Sequence, residues 1–141
     1  MNAPLDPLAQ RHRRLGWYAL LAFSSLGLAL EALHAFKAGF YLDVGAETRR
    51  SLWRLAHAHG ALLGLVNLAF AAALSHTRET ARPRLELASA CFIGGTLLLP
   101  AGFFIGGAFA QGGDPGTGVL LVPVGALLFV LASGLTARSL R

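Results

Sequence analysis

Four side chains in this sequence combine acid, base and metal-ligating capacity at spacings that could bring them together: Glu31, His34, His57 and His59. Glu31 and His34 stand three residues apart, the separation that puts two side chains on one helix face, and the same stripe runs back through Gly27 and Ser24. A carboxylate with imidazoles is a donor set for iron, copper or zinc, and imidazole alone ligates haem. His57 and His59 point roughly 200° apart on an ideal helix, so a single ligand takes one of them. His57 shares a small, polar stripe with Gly60, Gly64, Asn67 and Ala71, whereas His59 continues through Leu62, Leu63, Val66 and Phe70. The metal set expected from the sequence is therefore Glu31, His34 and His57, and the imidazoles open to a cofactor are His34, His57 and His59. The same residues also fit a cofactor-free Glu-His or Glu-Arg pair pinning two helices, or proton handling by Glu31. His12 and His76 are expected as solvated residues, and Cys91 as a packed, inert thiol.

The elements that must position these groups are long and apolar. Of the 141 residues 55% are hydrophobic and 13% charged, with a mean hydropathy of +0.57, a balance that a water-soluble domain of this size could not bury. Crossing a bilayer takes roughly 20 mostly apolar residues, and four stretches qualify: 15–36, 55–77, 87–113 and 115–137. The first contains one charge, Glu31, and the others none. The Arg11-His12-Arg13-Arg14 run before the first span resembles a signal-peptide start, but no small-x-small cleavage site follows, so the span is read as permanent. Residues 1–14 then form an N-terminal segment, 15–137 the transmembrane domain and 138–141 a tail.

Short connections between sequential spans make antiparallel neighbours, so the expected fold is all-α: an integral membrane, up-down four-helix bundle. Lysines and arginines choose its orientation. With both termini inside, eight basic residues (Arg11, Arg13, Arg14, Arg78, Arg82, Arg84, Arg138, Arg141) face the cytoplasm and four (Lys37, Arg49, Arg50, Arg54) lie outside, which favours N-in, C-in. Trp17 and Tyr18 at one boundary, and Tyr41 and Trp53 at the other, are placed for aromatic belts. With a rise of about 1.5 Å per residue, Glu31 and His34 lie roughly 24 to 29 Å beyond Leu15, near the outer edge of a core about 30 Å thick, and His57 enters from that side. Glycines on the second span, and Gly95, Gly102 and Gly106 on the third, suit close helix approach. Pro100 should kink the third span, and Pro123 the start of the fourth; a broken third helix would line a ligand cavity.

The stretch Leu55-Ala56-His57-Ala58-His59-Gly60-Ala61-Leu62-Leu63-Gly64 resembles the His-x-His helix start of haem-copper oxidase subunit I, of haem- and copper-containing NnrS-type membrane proteins, and of some small uncharacterised four-helix bacterial families. The resemblance implies axial haem ligation by His57 or His59. The third and fourth spans contain no histidine, so the paired histidines that ligate copper and the second haem in an oxidase are missing, and a full oxidase is excluded.

Three functions are compatible with these residues. One is an accessory module binding a metal (Cu, Fe or Zn) or haem in the outer leaflet. Another is a non-enzymatic structural or assembly protein that packs through glycine-rich faces against itself or a larger complex. The third is a small proton-coupled transporter using Glu31. Nucleic acid is not an expected partner, because the bases sit in short clusters between apolar runs rather than on one face. No hydrolase or kinase motif is present. A single cysteine excludes an internal disulfide and CxxC chemistry. Arginine supplies every basic position except Lys37, and with abundant Ala, Gly and Leu this points to a GC-rich bacterial genome and an inner-membrane location. The chain is expected to stay with membranes through an alkaline carbonate wash and to leave them only in detergent; release by alkali alone would contradict the spans.

Overall fold

The computed structural model describes residues 7–77 and 81–140, and for His76 the backbone alone. The Arg78 and Arg141 contributions to the charge count, residues 1–6 of the N-terminal segment and the side chain of His76 lie outside the described residues. Four long helices dominate: α1 (Pro7–Ala35), α3 (Glu47–Ala73), α4 (Arg82–Ala108) and α5 (Leu121–Ser139), with a single-turn α2 (Gly39–Leu42) between the first two. All four long segments are long and apolar enough to cross a membrane.

Helix ends follow local chemistry rather than hydropathy. The helix α1 begins at Pro7, well before Leu15, since Arg11, Arg13 and Arg14 favour a helix as much as the apolar residues after them do. It stops where Lys37 turns left-handed (φ 52°), letting the Ala38 N–H reach the Leu33 carbonyl at 3.0 Å in a Schellman-type cap. The connection expected to run to Arg54 is much shorter, because α3 already starts at Glu47 and carries Arg49, Arg50 and Arg54 on its first two turns. The helix α4 ends at Ala108 rather than Gly113. Gly112 (φ 58°) and Gly113 (φ 92°) form a tight turn closed by reciprocal Gln111–Asp114 backbone bonds of 3.0 and 2.9 Å, a conformation open chiefly to glycine.

Neither proline interrupts its helix. The helix α4 runs continuously through Pro100, which is fully buried, so the expected broken helix is absent. Pro123 occupies the first turn of α5, behind a 3-10 turn at Thr117–Leu120, where a missing N–H leaves no helix bond unmade.

Successive long helices are antiparallel, as facing residues show: Gly16 meets Gly64 while Gly27 meets His57, and Phe92 meets Phe70 while Phe104 meets Trp53. They form an open row rather than a closed bundle. Packing runs from α1 to α3, α3 to α4 and α4 to α5; α1 touches α4 over a short length, and α1 and α5 share no extended contact. Small residues decide which pairs form. A Cβ on Gly16 would lie 2.8 Å from the Gly64 carbonyl, and one on Gly125 would lie 2.6 Å from the Leu99 nitrogen, so the α1–α3 and α4–α5 seams need bare backbone.

One end of the row, the lower end, carries the start of α1 and the α3–α4 connection. There a polar chain crosses three helices. The His12 ring donates from Nδ1 to Asn67 Oδ1 (2.6 Å), and its Nε2 meets Ser89 Oγ (2.7 Å). Asn67 donates to the Leu63 carbonyl and to Thr96 Oγ1, both at 2.8 Å, and Thr96 donates to the Phe92 carbonyl at 2.7 Å. Because the Asn67 amide nitrogen is occupied by two acceptors, its oxygen must accept, which puts the His12 proton on Nδ1 and leaves Nε2 to accept from Ser89. His12 is 0% exposed and meets Phe70 edge-on at 4.6 Å, so the expected solvated histidine is instead a buried clasp. Its helix neighbours explain this: Ala9, Gly16 and Ala19 form a small face that lets α1 approach α3. Cys91 packs nearby in the apolar cluster with Leu8, Ala71 and Ala88.

Removing one member of this clasp strands its partners. His12→Ala and Asn67→Ala are each expected to lower unfolding stability in detergent by about 1–3 kcal/mol, with a double-mutant coupling of about 0.5–2 kcal/mol. Strict additivity in a denaturant titration would show that the two side chains do not act together.

Candidate functional site

The opposite, upper end holds a cleft of about 240 Å³ between the end of α1 and the start of α3, lined by Ser24, Glu31, His34, Tyr41, Arg54 and His57. Gly27 makes it possible. The His57 ring lies against that glycine, where a Cβ would come within 2.6 Å of Nδ1. Its Nδ1 donates to the Phe23 carbonyl at 2.7 Å. A carbonyl can only accept, so the ring proton is fixed on Nδ1 and the lone pair of the neutral ring sits on Nε2. Phe23 in turn places its ring against Gly60, locking α1 to α3 one turn further along.

Tyr41 reaches the cleft from α2 and is 1% exposed. It makes no side-chain hydrogen bond, and among the described residues no buried polar side-chain atom lacks a partner, so its hydroxyl opens into the cleft. The expected aromatic belt turns inward here. Tyr41 stacks on Trp53 at 6.2 Å, Trp53 stacks on Phe104 at 5.4 Å, and the indole N–H donates to the Phe104 carbonyl at 3.0 Å. At the lower end Trp17 and Tyr18 do face outward, at 64% and 69% exposed.

Two of the three arginines that weaken the inside-outside charge count, Arg49 and Arg50, have structural partners. Arg50 donates to the Tyr41 and Asp43 carbonyls at 2.9 and 3.2 Å; Arg49 donates to the Phe40 and Gly107 carbonyls at 2.8 and 3.3 Å. Thr48 adds a 2.6 Å bond to the Gly113 carbonyl. Together they tie α2, the end of α4 and the Gly112-Gly113 turn onto the start of α3.

Three of the four residues singled out from the sequence, Glu31, His34 and His57, therefore share one cleft. The fourth does not: His59 donates from Nδ1 to its own Leu55 carbonyl at 2.9 Å and lies against Phe103 of α4, its ring centroid 5.0 Å away. The cleft also falls short of the expected coordination centre. Among the described residues no three His, Cys, Asp or Glu side chains come together as a metal-holding group. The reason is geometric: Glu31 and His34 ride on the exposed side of α1, while His57 is held back against Gly27 by its bond to Phe23. Arg54 and Tyr41 belong to the site although the spacing analysis omitted them. Arg54 was detectable, lying three residues before His57 on the same face; Tyr41 arrives through the turn at α2, which no periodicity marks.

Glu31, His34 and Arg54 make no hydrogen bond or ion pair among the described residues, so the cleft presents a carboxylate, a guanidinium, imidazole and phenol with their bonding capacity open. Replacing Gly27 by Ala is expected to push the His57 ring off the Phe23 carbonyl. Nitrogen-15 histidine spectra should then show the single Nδ1–H tautomer giving way to a mixture; an unchanged His57 signal would refute the contact.

No protein-family model, curated protein or solved structure matches the chain.

Proposed function

We propose that this chain is a multi-pass protein of a bacterial inner membrane, with both termini cytoplasmic, whose upper cleft binds a small zwitterion as a non-catalytic accessory module. One observation supports the ligand class: Glu31 and Arg54 line the same cleft and make no ion pair with each other or with any described residue. Opposite charges kept apart around a small space suit a molecule bearing both an ammonium and a carboxylate, with His57 Nε2 and the Tyr41 hydroxyl as neutral hydrogen-bonding points. The orientation is supported by the inner excess of arginine, the more so because Arg49 and Arg50 on the outer side serve backbone carbonyls.

The metal and haem readings have a weaker basis, since the Glu31, His34 and His57 donors do not assemble. The glycine-face assembly reading has a weaker basis, because Gly16, Gly64, Gly95, Gly102 and Gly125 pack against helices of the same chain.

The test is binding of glycine, β-alanine and γ-aminobutyrate to detergent-purified protein, with acetate and methylammonium as singly charged controls. At least one zwitterion should bind saturably, about tenfold more weakly to Glu31→Gln and Arg54→Gln. Equal binding by the variants, or by acetate alone, would defeat the zwitterion reading. Stoichiometric metal in the purified protein that disappears in His57→Ala would replace it with a metal site.

A further inference from the structure

Besides its two charges, the upper cleft holds two neutral groups that are fixed in place and unpaired. The His57 ring is held by its 2.7 Å bond from Nδ1 to the Phe23 carbonyl and by Gly27, which leaves room for the ring only because it has no Cβ. Its Nε2 makes no hydrogen bond. Since no buried polar side-chain atom among the described residues lacks a partner, and the His57 residue is half-buried, Nε2 opens into the cleft that the ring lines. Tyr41 is held as firmly. Its ring stacks on Trp53, its carbonyl accepts from Arg50 at 2.9 Å, and its hydroxyl opens into the same cleft.

These two groups need opposite complements. With its proton committed to Phe23, the neutral imidazole can only accept at Nε2, whereas the phenol has a proton to donate. A ligand carbonyl would serve the phenol but set its lone pairs against Nε2. A second ammonium would serve Nε2 and leave the phenol proton without an acceptor. A plain methylene chain would strip both groups of water and return nothing. A hydroxyl serves both with one oxygen, donating to Nε2 and accepting from Tyr41. We infer that the ligand of this cleft is a hydroxylated zwitterion, a small amino acid with an alcohol on the chain joining its ammonium to its carboxylate, and that His57 is the residue selecting for it. Gly27 acts behind His57 as a positioning residue, because the space it leaves keeps the ring on the Phe23 carbonyl and so keeps Nε2 free of a proton.

The hydroxyl requirement rests on the zwitterion reading, and one ligand series separates the two. Detergent-purified full-length chain is titrated calorimetrically with two matched pairs: β-alanine with isoserine, and γ-aminobutyrate with γ-amino-β-hydroxybutyrate, each hydroxy acid as both enantiomers. A further member, γ-amino-β-fluorobutyrate, fills the place of the hydroxyl without a proton to donate. At least one hydroxylated enantiomer should bind about tenfold more tightly than its parent, and the fluoro compound no more tightly than γ-aminobutyrate. Nitrogen-15 spectra should place the contact at His57, with the Nε2 signal shifting and Nδ1 keeping its proton. The advantage of the hydroxyl should vanish in His57→Phe and shrink in Gly27→Ala and Tyr41→Phe; circular dichroism checks that each variant is folded. Equal affinity within both pairs, a fluoro compound matching the alcohol, binding of glycine alone, or a preference that survives in folded His57→Phe would each overturn the hydroxyl assignment while leaving the zwitterion reading intact. Failure of every zwitterion to bind would overturn both.

Discussion

A hydrogen-bonding group enclosed by hydrocarbon has no water to fall back on, and the row of helices is held together where that constraint is met. His12, Asn67, Ser89 and Thr96 form an unbroken order of donors and acceptors across α1, α3 and α4. Apolar contacts cannot select this arrangement in a bilayer, since a leucine loses little by facing lipid instead of another leucine. The polar chain can. Sliding α1 by one residue along α3 would separate His12 Nδ1 from Asn67 Oδ1 and leave that donor and that acceptor without each other, so the clasp fixes register as well as association. The glycine seams then set distance: Gly16 against Gly64 brings the backbones close enough for the His12 ring to reach its partners.

The upper end meets the same constraint differently. There the backbone leaves helical geometry at Ala38, around Asp43 and again from Phe109 to Gly116, freeing carbonyls that a helix would satisfy. Thr48, Arg49 and Arg50, on the first turn of α3, donate to carbonyls of these connections, while Arg49 and Trp53 also reach the Gly107 and Phe104 carbonyls near the end of α4. One short segment thus organises both connections at that end. Its arginines bear on topology as well, because in the proposed orientation they lie on the side that the inside-outside rule would keep poor in positive charge. Arginine is suited to the task, with five donors on a planar fork able to serve two carbonyls at once.

Much of this was legible in the residues. The long uncharged stretches defined four helices because hydropathy depends on composition alone, and the three-residue spacing of Glu31 and His34 placed them on a common face. Opposite faces for His57 and His59 followed from two steps of a helical wheel, and the structure puts one against α1 and the other against α4. Helix ends were less readable, since they depend on φ at Lys37, Gly112 and Gly113 rather than on apolar content. His12 was obscured by its neighbours. Within an Arg-His-Arg-Arg run it reads as solvent-facing, and only the Ala9, Gly16 and Ala19 face, counted across the charged segment, shows which way it points. Closure of the bundle could not be read at all, because every span has small residues and only the three-dimensional fit decides which pairs use them.

The contrast between the two ends bears most directly on function. Where the molecule needs only to hold together, its buried polar groups are fully paired, and Asn67 satisfies three partners at once. A structural pin at the upper end could have been built the same way, with Glu31 bonded to Arg54 or His34. Instead these side chains remain apart around a cleft, while the neighbouring Arg49 and Arg50 each bond two backbone carbonyls and His57 is fixed in one tautomer. Orienting an imidazole costs conformational freedom, and the His57 bond to Phe23 does more than join α1 to α3. What it does provide is an Nε2 lone pair held ready beside a carboxylate and a guanidinium. That arrangement is what the proposed zwitterion would use, with the imidazole as a neutral hydrogen-bonding point between the two charges.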